Sequence, residues 1–276
     1  MRVPFSGSLW LAAVACAAMG RAAAADPTPF TANCAAFAVT GDPRASAGAR
    51  WTYASVDGGV SYALEGVLFV PTASGPYPGV VVSHGKGGTP YGYSAGVARV
   101  MRGWGMVAIA TMYGHAPDAD DAGNLPLADD GASDGNVLRA HKARDLLACV
   151  RGVDHARIAA HGHSMGAYLT GQLLGTYPED FRAASHTAGG VSDGPNATHP
   201  PAAETIATPF QIHHGEADTT VPIAFDERLV SILAANQVAH DFHVAEYTGY
   251  SHAQIAQDPG MLERVRLWYQ EHGVLP

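Results

Sequence analysis

The sequence predicts an α/β fold: a mostly parallel central sheet with helices on both faces. Short apolar runs alternate with helical patterns from about residue 55 onward, and a Gly-x-Ser-x-Gly stretch at 162–166 separates one such run from a helical segment. Alternating strands and helices favour parallel pairing, because the crossover helices then cover the sheet. The chain of 276 residues is long enough for one such domain, which we expect to span 26–276.

The predicted elements follow one another along the chain. Residues 26 to about 50 carry little pattern, and we expect them to wrap the surface. Continuous apolar runs such as 80–82 are typical of strands buried on both faces, whereas 60–70 alternates as an outer strand does. The strand candidates are 60–70, 77–83, 106–111, 157–161, 181–187, 209–213 and 241–247, and the helix candidates are 95–104, 136–150, 167–174, 223–236 and 261–270.

Ser164 is the candidate nucleophile. It stands at the tip of GHSMG (162–166), between the strand-like 157–161 and the helix-like 167–174. A strand, a tight turn with serine at its tip and a helix together form a nucleophile elbow. Glycines leave room where strand and helix approach, and the helix N-terminus directs free N–H groups toward developing negative charge.

A serine hydroxyl needs a base, which is usually a histidine held by a carboxylate. The segment HGEADTTVP (214–222) follows one predicted strand, and GYSHA (249–253) follows the last one. The acid and then the histidine follow the serine in this order in α/β-hydrolases. We predict Asp218 as the acid and His252 as the base, with Glu216 as the competing acid.

An oxyanion hole is the remaining requirement. The loop SHGKGG (83–88) follows a buried strand, and its glycines allow backbone N–H groups to turn toward a bound carbonyl oxygen. We predict that the N–H of Met165 supplies one donor and that Lys86 supplies the second, with Gly85 or Gly87 as alternatives. Because chemistry in parallel sheets collects at the C-terminal strand ends, these groups are expected at one edge.

The motifs HGKGG, GHSMG, HGEADTTVP and GYSHA together resemble those of the α/β-hydrolase superfamily, and more narrowly its dienelactone hydrolase-like serine esterases. The resemblance covers about residues 55–272. It implies the α/β-hydrolase fold and hydrolysis of carboxylic esters through an acyl-enzyme, without a cofactor. Typical dienelactone hydrolases use a cysteine nucleophile, and Ser164 in its place favours ordinary esters. The residue before the nucleophile often borders the pocket in this family, so His163 is expected there.

The N-terminus predicts export. Arg2 precedes an apolar run at 9–19 that is too short to span a bilayer, and the alanines at 23–25 fit the cleavage site of a signal peptide at 1–25. We therefore expect a secreted or periplasmic protein. A membrane-anchored N-terminus and a lipoprotein site at Cys16 are the alternatives.

Two cysteines, Cys34 and Cys149, follow the predicted cleavage site. In an oxidising compartment such cysteines often pair, but their separation in the fold is not readable from the chain. A disulfide and two separate buried thiols both stay open at this point.

Histidine pairs and an acidic loop raise the question of a metal. His161 and His163 flank the elbow glycine, and His213 and His214 are adjacent, but neighbours on a strand point to opposite faces. The loop 118–134 holds six aspartates at a spacing that fits no EF-hand, which favours a solvated loop over a calcium site. We predict neither a metal nor a cofactor.

The net charge of −9 argues against nucleic acid and anionic membranes as partners. The expected partner is a small-molecule or polymeric ester. Tyr91 and Tyr93, after the oxyanion loop, are candidates for substrate binding or for packing. The stretch 192–208 lacks the long apolar helices of a lipase lid, so we expect an open site. Ester preference and oligomeric state are not readable from the sequence.

Three other functions compete with that of an exported serine esterase. A polyester or plant-cell-wall ester hydrolase is compatible with export and an open site. A peptidase of the prolyl-oligopeptidase type is disfavoured because no extra domain screens the substrate. A non-catalytic binding protein is disfavoured because serine, acid, histidine and oxyanion loop are all present.

Overall fold

The computed structural model describes residues 34–119, 125 and 130–276. The predicted signal peptide and the aspartates at 120, 121 and 129 lie outside these described residues. Within the described part of the chain, no helix is long and apolar enough to cross a membrane.

Nine strands in the described residues form one sheet. They are β1 (Phe37–Thr40), β2 (Ala49–Asp57), β3 (Val60–Phe69), β4 (Tyr77–Ser83), β5 (Val107–Thr111), β6 (Val153–His163), β7 (Ala183–Thr187), β8 (Phe210–His213) and β9 (His240–His243). Their order in space is β1-β2-β3-β5-β4-β6-β7-β8-β9. The pairs from β5 to β9 are parallel, and those from β1 to β5 through β2 and β3 are antiparallel. The predicted α/β fold with a mostly parallel sheet is confirmed.

The antiparallel end of the sheet differs from the sequence prediction. β1 lies within the segment expected to wrap the surface, and β2 follows it directly. β3 is consequently an interior strand rather than an outer one, paired with β2 and β5. β1 has only four residues, too few to show a pattern, and its register is set by pairing Phe37 with Tyr53 of β2.

Helices cover both faces of the sheet. They are α1 (Ala95–Gly103), α2 (Asp134–Leu146), α3 (Met165–Thr176), α4 (Pro200–Ala203), α5 (Ile223–Ala235), α6 (His252–Ile255) and α7 (Pro259–Glu271). Successive residues of β6 point to opposite faces of the sheet and belong to two different cores. Ile158 and Ala160 pack with α2, α3 and α5 on one face, and Ala159 packs with α1 and α7 on the other. The sheet is therefore buried on both faces around β6, the strand that carries the candidate nucleophile.

The two cysteines that the sequence left open form a disulfide. Cys34 precedes β1, and Cys149 ends the single turn of 3₁₀ helix after α2. Their Cα atoms are 5.4 Å apart. The bond joins the segment just before β1 to the turn after α2, so the antiparallel edge of the sheet is covalently linked to the helical layer.

Candidate active site

Ser164 lies between the end of β6 and the first residue of α3. Its backbone has φ 58° and ψ −122°, a conformation that non-glycine residues rarely adopt. The turn is held by the Ser164 N–H, which donates to the Thr187 carbonyl of β7 at 3.0 Å, and by the Ser164 carbonyl, which accepts from the Ala167 N–H at 2.8 Å. Backbone strain of this kind persists only where surrounding structure enforces it, and it clusters at functional sites.

Two glycines make this turn sterically feasible. A side chain at Gly162 would overlap the Gly166 carbonyl, and one at Gly166 would overlap the carbonyls of Ser83 and His84. The end of β6, the start of α3 and the loop after β4 therefore touch through bare backbone. The two glycines thus provide the space that the close approach of strand and helix in a nucleophile elbow requires.

Asp218 and His252 meet at the ends of neighbouring strands. His252 is the first residue of α6, which begins with a capping box made by Ser251 and Gln254. Its Nδ1 donates to Asp218 Oδ2 at 2.7 Å, and the Asp218 side chain is only 1% exposed. The N–H groups of Thr220 and Val221 donate to Asp218 Oδ1 at 2.7 and 3.0 Å.

The surroundings of Asp218 favour its ionised form. Burial alone would raise the pKa of Asp218, but the hydrogen bonds from Val221, His252 and Thr220 bring that pKa below its usual range. The competing acid, Glu216, is exposed and accepts from the Gly249 N–H at 3.3 Å. Of the two carboxylates, Asp218 is thus the one that contacts the histidine.

The loop after β4 packs directly against the serine. A Cβ added to Gly85 would lie 2.9 Å from Ser164 Cβ and 3.4 Å from Ser164 Oγ. The N–H of Gly87 donates to the His115 carbonyl at 3.3 Å, and that of Gly88 donates to the Gly85 carbonyl at 3.1 Å. Among the described residues, the backbone N–H of Lys86 has no acceptor, and that of Gly85 has none either.

Met165, predicted as the other oxyanion donor, is the first residue of α3, so its N–H has no acceptor within the helix. The Lys86 ammonium group points away to the surface, where it pairs with Asp130 Oδ2 at 3.0 Å and is 65% exposed. A role for Lys86 in an oxyanion hole would therefore involve its backbone only.

Buried polar residues that the sequence analysis did not single out brace the same loop. His115 Nε2 donates to the His84 carbonyl at 3.0 Å, and the His115 carbonyl accepts from Gly87. Asn136, at the start of α2, donates from Nδ2 to His115 Nδ1 at 3.3 Å. His115 thus hydrogen-bonds to the loop on both sides of Lys86, at His84 and at Gly87. A histidine in a loop and an asparagine in a helix carry no sequence signal for this role.

His163 and Tyr93 lie beside the histidine of the site. The ring centroid of His163 lies 4.7 Å from that of His252 and 5.4 Å from that of Tyr93. Burial, with the charge of His252, lowers the pKa of His163 to about 3, so its ring is neutral. The Tyr93 hydroxyl bonds inward to His161 Nε2 at 3.1 Å. Tyr91 instead packs beneath the Arg50 guanidinium, 4.1 Å from the ring centroid.

No cluster of three or more His, Cys, Asp or Glu side chains suited to a metal ion occurs in 34–119, 125 and 130–276. His213 ends β8 and His214 follows it, and the two bond to different partners, Tyr247 and Asp226. The partner of His214 is a second buried carboxylate that the sequence analysis missed.

The sheet order and the groups gathered at its C-terminal strand ends define the class of protein as an α/β-hydrolase. The sequence profile of the dienelactone hydrolase family matches residues 64–269. The chain therefore belongs to the dienelactone hydrolase family and is a carboxylic ester hydrolase. A comparison with curated protein sequences gave no match.

Solved structures show the same fold at low sequence identity. The S-formylglutathione hydrolase from Agrobacterium tumefaciens is 15% identical with a TM-score of 0.62, over 84% of this chain and 98% of that chain. The apo form of esterase 2 from Thermogutta terrifontis is 19% identical with a TM-score of 0.63, over 82% of this chain and 95% of that chain. The same esterase bound to propionate is 19% identical with a TM-score of 0.63, over 81% and 94% respectively.

Proposed function

We propose that this chain is an exported serine esterase that hydrolyses carboxylic esters through Ser164, His252 and Asp218. The observation that carries the proposal is the strained Ser164 backbone at φ 58°, beside N–H groups that have no acceptor among the described residues. The ring of the preceding residue, His163, lies 4.7 Å from that of His252, which is hydrogen bonded to Asp218. Export is proposed from the sequence of 1–25 alone.

In the first half of the reaction, His252 takes the proton from the Ser164 hydroxyl as its oxygen attacks the ester carbonyl. Asp218 accepts the Nδ1–H of His252 and stabilises the imidazolium that forms. The protonated His252 then gives its proton to the departing alcohol, leaving an acyl group on Ser164. Water repeats the sequence in the second half: it loses a proton to His252, attacks the acyl-enzyme and releases the acid and free serine.

The negative oxygen of each tetrahedral intermediate is held by backbone N–H groups of Met165 and Lys86. These groups support the proposal because neither has an acceptor among the described residues, while the N–H groups of Gly87 and Gly88 already donate to the His115 and Gly85 carbonyls. A pair of preorganised donors in a water-poor site stabilises charge that develops only in the transition state.

The neutral His163 ring is well suited to its place beside His252. A second positive charge 4.7 Å away would oppose the imidazolium that forms during catalysis, and the low pKa of His163, about 3, removes that conflict. We therefore assign His163 to one wall of the site, packed between Tyr93 and His252.

Short acyl esters are the first substrates to test. Esterase 2 from Thermogutta terrifontis has been solved with propionate and with butyrate bound, and it shares this fold. The mature chain should hydrolyse p-nitrophenyl esters, and a series from acetate to palmitate measures its acyl preference. Absence of turnover on every ester would contradict the proposal and favour a peptidase or a non-catalytic protein.

Ser164→Ala should remove nearly all turnover, leaving at most about one part in a thousand, with an unchanged melting temperature. Asp218→Asn should lower kcat by about 1,000-fold or more, because an amide no longer holds the histidine in its working form. Glu216→Gln is the matched control, an exposed carboxylate in the same loop, and should retain most activity. A severe Glu216→Gln effect with a mild Asp218→Asn effect would reverse the assignment of the acid.

A further inference from the structure

Behind the Asp218 carboxylate lies a second carboxylate–imidazole pair that the proposed mechanism does not use. His214 directly follows β8, and Asp226 lies in the first turn of α5. Both side chains are completely buried. Burying charge is costly unless every charged group is paired and hydrogen bonded, so a pair in this place needs an explanation.

The hydrogen bonds of His214 determine its protonation. Its Nδ1 lies 2.6 Å from Asp226 Oδ2, and its Nε2 lies 3.1 Å from the Val221 carbonyl oxygen. Both partners accept hydrogen bonds, and a neutral imidazole has only one N–H. His214 therefore carries a proton on each nitrogen and is a buried cation.

Asp226 is the fixed anion that holds this cation. It accepts from His186 Nε2 at 2.8 Å and from the Gly189 N–H at 3.3 Å, in addition to His214. Burial alone would raise the pKa of Asp226, but the interactions with His186 and His214 hold that pKa far below its usual range. Burial alone would likewise lower the pKa of His214, and the bond and charge of Asp226 raise it instead.

Val221 connects His214 to the Asp218 carboxylate through two backbone hydrogen bonds. The Val221 carbonyl accepts from His214 Nε2, and the Val221 N–H donates to Asp218 Oδ1 at 3.0 Å. His214 Nε2 also lies 3.6 Å from Asp218 Oδ2, too far for a hydrogen bond but within ion-pair distance. His214 thus holds the loop that carries Asp218 through a hydrogen bond and also places a positive charge behind the Asp218 carboxylate.

We propose that His214, held as a cation by Asp226, is a positioning residue for Asp218 in ester hydrolysis, an inference that rests on the proposed function. It keeps the Asp218 carboxylate aimed at His252 Nδ1. Its charge also limits how strongly Asp218 retains the proton on His252, so His252 is free to act as a base at lower pH.

Among the described residues, the titratable groups around His214 are Asp226 from α5, Asp218 from its own loop and, through Asp226, His186 from β7. Tyr168 from α3 also faces the cluster, since its phenol interacts electrostatically with both Asp226 and Asp218. His252 faces His163 in addition to Asp218.

The test compares His214→Gln and Asp226→Asn with the wild-type enzyme on one p-nitrophenyl ester, with rates normalised by active-site titration. Glutamine retains a donor for the Val221 carbonyl and removes the charge. His213→Gln is the matched control, since His213 is the equally buried residue just before His214 but bonds to Tyr247 and Gln211. Ser164→Ala is measured alongside, because its failure to abolish turnover would refute the proposed function itself.

For both His214→Gln and Asp226→Asn we expect kcat to fall about 10- to 100-fold with KM within threefold, by loss of positioning. For His214→Gln the acidic limb of the kcat/KM profile should move up by about half a pH unit to one unit, because a nearby cation has been removed. For Asp226→Asn the limb should move in the same direction but less, because His214 loses its proton while the Asp226 anion is lost as well. His213→Gln should leave the per-site rate and the limb unchanged. Rates within threefold of wild type with an unmoved limb, beside an inactive Ser164→Ala, would overturn the inference alone.

A measurement on the wild-type chain covers variants that do not fold. Nitrogen-15 NMR of the histidine rings at pH 7 should show one slowly exchanging imidazolium with both nitrogens protonated and hydrogen bonded. If every slowly exchanging histidine instead has a single ring proton, the buried cation does not exist and the inference is wrong.

Discussion

Gly85→Ala tests how closely the oxyanion loop approaches the nucleophile. The added methyl carbon would lie 2.9 Å from Ser164 Cβ, 3.1 Å from the His163 carbonyl oxygen and 3.4 Å from Ser164 Oγ. Carbon atoms pack without strain at about 3.5 to 4.0 Å. The loop must therefore move away from Ser164 by roughly half an ångström or more to accept the methyl group.

The displacement should affect the rate more than the fold. The loop moves as a unit with the Lys86 N–H, which we propose as an oxyanion donor, and losing one such donor costs about 100- to 1,000-fold in kcat. We expect Gly85→Ala to lower kcat by about 100-fold, equivalent to about 2.7 kcal/mol of transition-state stabilisation. KM should change little, since the interaction forms mainly in the transition state.

The assay is steady-state hydrolysis of a p-nitrophenyl ester, with the melting temperature measured on the same samples. Gly103→Ala is the control, because a Cβ at Gly103 meets nothing within 4 Å and the residue ends α1 away from the site. It should keep the wild-type rate. A Gly85→Ala enzyme with wild-type kcat and an unchanged melting temperature would refute the inferred contact between loop and nucleophile.

Two further predictions concern stability. Replacing Cys34 and Cys149 by serine together opens a link between residues 115 positions apart and should cost about 2 to 4 kcal/mol, or roughly 5 to 15 °C in Tm by calorimetry; an equal Tm would contradict it. The His214–Asp226 pair stabilises the fold above the unfolded aspartate pKa of about 3.9 and below the unfolded histidine pKa of about 6.5. Because the folded pKa of His214 is raised, this contribution is lost as pH rises through that raised value. The Tm gap between wild type and His214→Gln should therefore be largest near pH 5 and shrink toward alkaline pH, and a constant gap would show that the charge is irrelevant.

The sequence predicts well the geometry that follows from chain order. The turn at Ser164 follows from a glycine-flanked stretch between a strand and a helix, and all three elements are adjacent in the chain. Asp218 and His252 were paired from the rule that strand ends share one edge of a parallel sheet. Their contact at 2.7 Å needs only that rule and the chain order.

The features that the sequence could not give depend on long-range packing. β1 was missed because its pattern is four residues long and its partner strand fixes its register. The grip of His115 on the oxyanion loop and the pairing of Asp226 with His214 join residues whose side chains meet only after the helices pack. In the sequence, an aspartate in the first turn of α5 looks ordinary, because negative charge there interacts favourably with the helix dipole. Nothing in its neighbours along the chain reports that it is completely buried.

The end of β7 is where the two halves of the site are held together. The Thr187 carbonyl accepts from the Ser164 N–H at 3.0 Å and so fixes the nucleophile, while the adjacent His186 donates to Asp226 at 2.8 Å. Asp226 in turn holds His214, which holds the loop of Asp218. The positions of Ser164 and Asp218 thus both depend on neighbouring residues of one buried strand, β7, rather than on two independent loops. Since a misplacement of about 1 Å can cost about 100-fold in rate, a shared rigid support explains why charged groups are kept in the core behind this site.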